Sequence, residues 1–447
     1  MELYLIPFNT GEASEATIIY RPLLGLAFVG NQTMASLAQS LAEDPSQPMR
    51  EDIRLFLERV GFFAPDPPVP PPPEAGPFNP TNVALLMTNE CQLRCTYCYA
   101  AAGALPRRNL SVELGIKAID AVHENLKRLN QTKMLVSLHG GGEPTYLWKN
   151  LKAFVDHAKE RSGECEFSLT SNGMWSEAQT RWIMANITSV GISMDGSPET
   201  QNRQRPLATG KASSRIVMRS IHMMEENHFS FGIRLTAVPP FDRLLDDIRY
   251  LCEHTQCRMM QVEAAFNTER GEEGQPTLQE GVQFLETFFA AQRLAESYGR
   301  SLRCAGSDPD KITSTACGSP FSSLVVSPSG KIVACFEVLN EAHPLAKIAT
   351  FGRVTPDGIE VDEAARARLQ RKIAERRVSC KDCYCYWTCA GDCLIRGFTA
   401  EEGSHLKHGA RCELNQLLIR EMLLKRIAAG NGVWRRNAAP AAAGKQV

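Results

Sequence analysis

The sequence predicts an α/β protein in which a parallel sheet is flanked by a small N-terminal module and a cysteine-rich C-terminal region. Three observations lead there. Six apolar strand candidates alternate with helical patterns between residues 83 and 299, a proline-rich stretch at 66–80 precedes them, and 15 cysteines gather mostly at the start of that run and beyond its end. Strands and helices in strict alternation call for a parallel sheet, open or closed into a barrel, with its chemistry at the carboxyl ends of the strands.

The first 65 residues read as strands "LYLIPF" and "ATIIYRPLLGLAFVGN" followed by helices "TMASLAQSLAE" and "REDIRLFLERVGFF", with Thr33 as the expected N-cap. This order resembles a winged-helix unit and the PqqD-type peptide-recognition domain that precedes many peptide-modifying enzymes. A packing or oligomerisation module fits the same pattern. Residues 66–80, "DPPVPPPPEAGPFNP", cannot continue a helix or a central strand and are read as a spacer.

After the spacer the expected strands are 83–88 "VALLMT", 134–138 "MLVSL", 166–170 "EFSLT", 189–194 "SVGISM", 230–238 "SFGIRLTAV" and 259–264 "MMQVEA". Helical patterns fall at 111–129, 149–161, 175–186, 213–227, 241–255 and 279–299; in the first, Ile116, Ile119, Val122 and Leu126 step by three or four residues. From residue 304 onward short strands and turns such as "SPSGK" accompany the cysteines, and 426–447 is read as a flexible tail.

Charge and hydropathy exclude several classes. Lys plus Arg number 49 against 50 for Asp plus Glu, so there is no basic footprint for nucleic acid. The start "MELYLIPFNTGEAS" lacks a basic region and a signal-length apolar run, and no apolar stretch reaches the ~18 residues of a membrane span. The expectation is a soluble, cytoplasmic protein. The cytosol keeps thiols reduced, so cysteine abundance there points to metal or redox chemistry.

Cys91, Cys95 and Cys98 lie in "CQLRCTYC", directly after the first core strand. Partners at +4 and +7 would arise by chance with a probability of about 0.02. Three thiolates can hold a four-iron cluster and leave one iron without a protein ligand. Spacing alone leaves open a zinc site with a fourth ligand from elsewhere. Further polar signals end the next strands in turn: "HGGGEP", "TSNG", and "SMDG" with Arg205 twelve residues after Ser193. The glycines permit close backbone approach, and Glu143 supplies a carboxylate that accepts charge-assisted hydrogen bonds.

In this joint order the chain resembles the radical SAM superfamily over roughly residues 81–300. The resemblance implies a partial (β/α)6 TIM-type barrel whose cluster is held by Cys91, Cys95 and Cys98, the open iron chelating S-adenosylmethionine. It further implies that Gly141, Gly142 and Glu143 face the methionine ammonium, Ser171 and Asn172 the ribose, and Ser193 and Arg205 the carboxylate and ribose. Tyr97 would lay its backbone against the adenine.

The second cysteine field comprises Cys317, Cys335, Cys380, Cys383, Cys389, Cys393 and Cys412. A zinc ribbon is the plain alternative, although seven is an awkward count for zinc alone. The run resembles the SPASM domain, which carries two auxiliary clusters. That resemblance assigns Cys380, Cys383, Cys389 and Cys412 to one cluster and Cys317, Cys335 and Cys393 to the other. Ser323 stands where some relatives have a further cysteine, so the second of these is open or takes a non-cysteine ligand, with Cys385 and Cys304 as other candidates. Cys165, Cys252 and Cys257 read as buried thiols without a ligand role.

The expected organisation is therefore a recognition-like module at 1–65, a linker at 66–80, a radical SAM core at 81–303, a SPASM domain at 304–425 and a tail at 426–447. The resemblance implies an enzyme that cleaves S-adenosylmethionine reductively and abstracts hydrogen from a ribosomally made precursor peptide, forming a thioether or carbon–carbon crosslink. It would need an electron donor such as flavodoxin or ferredoxin. No catalytic base is identifiable. Sulfatase-maturing relatives carry Asp straight after the third cysteine of their first auxiliary set. In this chain "CFE" puts Phe336 at that position, with Glu337 next. Formylglycine formation and a non-catalytic electron carrier or peptide adaptor remain the alternatives.

Overall fold

The computed structural model describes residues 1–9, 15–73, 76–267, 269–271, 276–341, 343–393, 395–396 and 409–436. Strands β1 (Tyr4–Asn9), β2 (Glu15–Arg21) and β3 (Leu26–Asn31) form an antiparallel meander, followed by helices α1 (Gln32–Glu43) and α2 (Glu51–Arg59). The N-cap of α1 is Asn31 rather than Thr33; its side chain accepts from Met34 N at 2.9 Å. One face of this sheet buries Ile19, Leu26 and Phe28 against α1 and α2.

The core sheet then begins. Strand β4 (Asn82–Leu86) is followed by α3 (Val112–Arg128), β5 (Lys133–His139), α4 (Trp148–Arg161), β6 (Glu164–Ser171) and α5 (Glu177–Asn186). Next come β7 (Ser189–Ser193), α6 (Pro198–Gln204), α7 (Ser214–Glu226), β8 (Phe231–Ala237), α8 (Leu244–His254), β9 (Met259–Ala264), α9 (Leu278–Ser297) and β10 (Ser301–Cys304). Caps explain several helix starts: Ser111 accepts from Leu114 N, while Ser176 with Gln179 and Thr277 with Glu280 form capping boxes.

All six expected strands are present, joined by a seventh, β10, too short at four residues to carry a periodic signal. Strands β4 to β10 are parallel and follow one another in sequence order. Right-handed crossovers that never reverse direction set the helices on one face. Toward that face point Met134, Val136, Leu138, Phe167, Leu169, Ile233, Leu235, Met260 and Val262, all buried. The alternate residues Ser137, His139, Ser168, Thr170, Arg234, Thr236, Gln261 and Glu263 are half-buried on the opposite face. This side of the sheet is therefore a polar bay.

The C-terminal region extends the same sheet. After the single turn α10 (Ser319–Ser322), β11 (Ser323–Val326) pairs parallel with β4, and β12 (Lys331–Val333) returns antiparallel. A further turn, α11 (Ala346–Ala349), precedes β13 (Thr350–Thr355) and β14 (Gly358–Val361), which complete the edge. Leu324, Val325, Ile332 and Phe351 join the hydrophobic core of the parallel strands, so that core crosses the boundary expected at 303/304. Helix α12 (Glu363–Ser379), the turn α13 (Tyr386–Cys389) and α14 (Ala410–Ala429) follow.

The expected tail from 426 needs correction. Helix α14 runs on to Ala429, and β15 (Val433–Arg435) pairs antiparallel with β3 as the fourth strand of the N-terminal sheet. Its Trp434 is buried beside Tyr20, at a ring-centroid distance of 6.4 Å. Burial of one large aromatic at a paired edge outweighs the loop-like composition around it. The stretch 437–447 lies outside the described residues. Ile6, Ile18, Tyr20 and Ala27 on the other face of this sheet pack on Ile419, Leu423 and Ile427 of α14 and on Cys385.

The proline-rich spacer is strapped down at several points. Asp66 takes an ion pair from buried Arg21 at 2.6 Å, Ser314 Oγ donates to Pro71 O at 2.6 Å, and Asn125 Nδ2 donates to Pro80 O at 3.1 Å.

Candidate active site

Cys91, Cys95 and Cys98 occupy the loop after β4, and hydrogen bonds from three directions fix it. Arg94 N donates to Pro206 O and Thr96 N to Gln204 O, at 2.8 and 2.9 Å. From the loop after β9, Arg270 donates to Cys95 O at 2.6 Å and to Ala102 O at 2.8 Å. From the loop after β5, Gly142 N donates to Thr88 O and Glu143 N to Glu90 O, each at 2.8 Å. Gly142 allows this approach because a Cβ there would lie 2.0 Å from Glu90 O; one on Gly141 would lie 2.0 Å from Leu339 Cδ1.

The thiols share this corner. Cys91 Sγ accepts from Leu93 N at 3.3 Å and from Asn172 Nδ2 at 3.6 Å. Burial, then the nearby Glu143 carboxylate and the sibling thiols, push Cys91 up to about 12. Burial also pushes Cys95 up to about 11, although Arg205 pulls the other way. Thiols held neutral in this way lose their protons when a metal group takes them.

Glu143, Ser171 and Asn172 meet one another. The buried Glu143 carboxylate accepts from Ser171 Oγ (2.6 Å), Thr145 Oγ1 (2.6 Å), Thr145 N (3.1 Å) and Asn172 N (2.8 Å). Burial raises its pKa against these donors. Three of the four bonds fall on Oε1, so remaining acceptor capacity lies on Oε2. Ser171 Oγ also accepts from Trp175 Nε1 at 3.0 Å, and Asn172 Oδ1 from Met174 N at 3.0 Å.

Arg205 turns toward Asp195. Its Nε lies 3.0 Å from Asp195 Oδ2, and its guanidinium stands over the Tyr97 ring, 5.3 Å from the centroid. Tyr97 Oη donates to the same carboxylate oxygen at 2.5 Å, and Thr236 N donates to Oδ1 at 2.9 Å. Sequence reasoning missed Asp195, Thr236 and Arg270. Asp195 had a legible signal, as an acid directly beyond a buried strand, whereas nothing in the sequence ties Arg270 to the cysteine loop. Ser193 ends β7, half-buried, at the rim of the bay.

The second cysteine field falls into two neighbourhoods. Cys335 lies within electrostatic reach of Cys317 and Cys393. Cys389 and Cys412 each feel other members of the Cys380, Cys383, Cys389 and Cys412 group. Cys385 sits with this latter group, beside Cys383 and Cys389. Cys304 lies beside Glu263 and Asp308. Donors face the sulfurs: Glu337 N is 3.5 Å from Cys335 Sγ, and Gln416 Nε2 is 3.4 Å from Cys383 Sγ.

Between the two sets Asp392 is gripped by Arg411 through bonds of 2.8 and 2.9 Å. Burial raises the Asp392 pKa, but Arg411 and Arg376 outweigh it and the net shift is downward. Among the described residues no three His, Cys, Asp or Glu side chains converge at the spacing of ligands around one metal ion.

Comparison with known proteins supplies the class. Residues 85–250 match the Radical SAM superfamily. Fe-coproporphyrin III synthase of Methanosarcina barkeri is 30% identical over 151 residues, covering 34% of this chain and 35% of that protein. The match thus spans about a third of the relative's length. Among solved structures, anSMEcpe with bound AdoMet and Cp18Cys peptide is similar with a TM-score of 0.60 at 17% identity, covering 78% of this chain and 99% of that one. Streptococcus suis SuiB bound to precursor peptide SuiA gives a TM-score of 0.54 at 10% identity, covering 85% and 87%. At these identities the likeness is one of fold. No described helix is long and apolar enough to cross a membrane.

Proposed function

We propose that the chain is a radical SAM enzyme that modifies a ribosomally made peptide by hydrogen abstraction, closing a thioether or carbon–carbon crosslink. The observation that carries this reading is the three-thiol loop, pinned from three sides at the mouth of a polar bay.

The residues fit the implied group. Cys91, Cys95 and Cys98 would hold a four-iron cluster. Backbone N–H and amide donors already face Cys91 Sγ, and such hydrogen bonds tune a cluster's potential. When bound, the cluster supplies the electron that splits S-adenosylmethionine, whose 5′-deoxyadenosyl radical takes a hydrogen atom from an unactivated C–H. The protein's share is orientation and exclusion of water.

Gly141 and Gly142 let the backbone come close, and Glu143 ties the ends of β5 and β6 together while Oε2 keeps room for the ligand's ammonium. Asn172 stands at Cys91, and Ser193 at the rim for the ribose. Arg205, held by Asp195, keeps the Tyr97 segment in place beneath the adenine. Cys380, Cys383, Cys389 and Cys412 would hold one auxiliary cluster, and Cys317, Cys335 and Cys393 another; the electron released when the substrate radical closes its bond would pass to such a cluster, and the accompanying proton to solvent. A flavodoxin or ferredoxin is the proposed electron source.

Support for a peptide substrate comes from the fold shared with SuiB and anSMEcpe, both solved with peptides. The N-terminal module, which packs on α14 beside Cys385, is proposed to bind a leader segment. Phe336, standing where sulfatase maturases have Asp, favours crosslinking over formylglycine formation.

The test is anaerobic reconstitution with iron and sulfide, followed by dithionite and S-adenosylmethionine. Release of 5′-deoxyadenosine, abolished when Cys91, Cys95 and Cys98 are replaced by Ala, supports the reading. Zinc at those cysteines in the natively purified protein, or no cleavage after full loading, overturns it in favour of a carrier or adaptor. Co-expression with a neighbouring short open reading frame then reads the chemistry: a product lighter by two hydrogens indicates a crosslink.

A further inference from the structure

The acids around the polar bay are already engaged. Glu337 takes Arg396 at 2.8 Å, Glu263 faces the same guanidinium at 3.8 Å and accepts from Gln261 at 2.9 Å, and Asp195 takes Arg205 at 3.0 Å. Glu143 accepts from the four donors described above, with only Oε2 keeping capacity, which the proposed function assigns to the ammonium of S-adenosylmethionine. Arg234 is different. It lies on β8 between buried Ile233 and Leu235, which face the helices, so its side chain enters the bay. Among the described residues no carboxylate pairs with it.

Its direction can be read from its neighbours. A Cβ built on Gly191 of β7 would lie 3.3 Å from Arg234 Cδ and 3.9 Å from Thr170 Oγ1 of β6. The side chain therefore crosses β7 toward β6. Its charge is felt beyond that, at His139 on β5, where burial first and Arg234 second press the imidazole down to about 4. His139 stacks on Phe336, with ring centroids 5.1 Å apart, and Phe336 follows Cys335 of the second cysteine field. The guanidinium thus projects over the bay floor on the side facing the second cysteine field. An arginine fork presents five N–H donors in a fixed plane, and a carboxylate is the group that meets it with two parallel bonds.

We infer that Arg234 seats a carboxylate of the peptide substrate, either an aspartate or glutamate side chain or the free C-terminus, on the bay floor. This rests on the peptide reading above and narrows it to substrates carrying an acid close to the modified residue. The same carboxylate chemistry is present in the methionine part of S-adenosylmethionine, and the test separates the two.

Cluster-loaded protein with S-adenosylmethionine is equilibrated anaerobically with a random heptapeptide pool, N-acetylated and C-amidated, and the retained peptides are identified by mass spectrometry. A second pool lacks Asp and Glu and mixes free with amidated C-termini. The expected result is enrichment of acid in the first pool, or of free over amidated ends in the second, by about tenfold, as a charge-assisted pair gives. That enrichment disappears in Arg234→Gln and partly survives in Arg234→Lys, while S-adenosylmethionine affinity by calorimetry is unchanged. Equal acid content in the first pool together with equal free-end content in the second, for wild type and Arg234→Gln alike, overturns the inference, as does a tenfold loss of S-adenosylmethionine affinity in Arg234→Gln. Cleavage of S-adenosylmethionine without either enrichment sinks this inference alone, whereas absence of cleavage sinks the enzyme reading.

Discussion

Asp195 and Arg205 form an ion pair in which the carboxylate side chain is wholly buried and the guanidinium is only 10% exposed, with Nε and Oδ2 3.0 Å apart. Tyr97 donates to the same oxygen. The segment that carries two of the three loop cysteines is thereby bolted to the ends of β7 and β8. Removing one partner of a buried pair strands the other charge, at a cost of about 3–5 kcal/mol. Asp195→Ala should therefore lower the urea midpoint strongly, whereas Glu51→Ala, which breaks an exposed, solvent-screened pair with Arg54, should leave it almost unchanged. A small loss in Asp195→Ala would mean that the pair is not what holds this corner.

Gly142 meets the backbone carbonyl of Glu90, which cannot rotate away as a side chain tip can. Gly142→Ala should destabilise by about 1–3 kcal/mol or more and reduce iron uptake by the first cysteine set. Gly163→Ala, where an added Cβ meets nothing within 4 Å, should fall within about 0.5 kcal/mol of the wild type. Denaturant titration and iron analysis of the two variants check both statements.

The cysteine grouping predicts metal content. Fully loaded protein should bind about twelve irons per chain, and the Cys91, Cys95 and Cys98 triple alanine variant about eight. Replacing Cys380 and Cys383 should leave the first set loaded and S-adenosylmethionine cleavage present. Loss of all iron in either variant would contradict three separate sites.

His139 predicts a pH dependence of stability. Its folded pKa is about 4 against an ordinary 6.5, so between those values the unfolded chain binds the proton and the folded chain does not. Stability from this residue is present above about 6.5 and is lost as pH falls toward about 4. Glu143, whose pKa burial raises, acts in the opposite sense at the acidic end, so the wild-type profile alone is not diagnostic. The difference between wild type and His139→Gln in urea midpoint, followed from pH 7 to pH 4.5, should shrink steadily. A flat difference would refute it.

How far the sequence carried the fold depended on element length and repetition. Apolar runs of five to nine residues placed β4 to β9 correctly; in β5, β6, β8 and β9 the buried residues alternate with half-buried polar ones that face the bay, while β4 and β7 are buried in consecutive positions. Strands such as "SLRC" and "VWR" are too short to show a period, and the partner of "VWR" is β3, at the other end of the described chain. The same holds at the site. Cys91, Cys95 and Cys98 share one loop and announced themselves, and the glycines of "HGGGEP" marked a close approach that Glu90 O makes visible. Arg234 and Arg270 are ordinary arginines until folding sets one in the bay and the other on the cysteine loop.

The pairing of β15 with β3 also has a consequence for how this chain is made. A ribosome delivers β3 first and its neighbour about 400 residues later. At roughly 5–20 residues per second, the outer edge of β3 stands bare for about 20–80 s of synthesis. This sheet is thus finished only after the strands of the core sheet have emerged, and an arrest of translation before Trp434 would leave a three-stranded meander with a sticky edge for chaperones to guard.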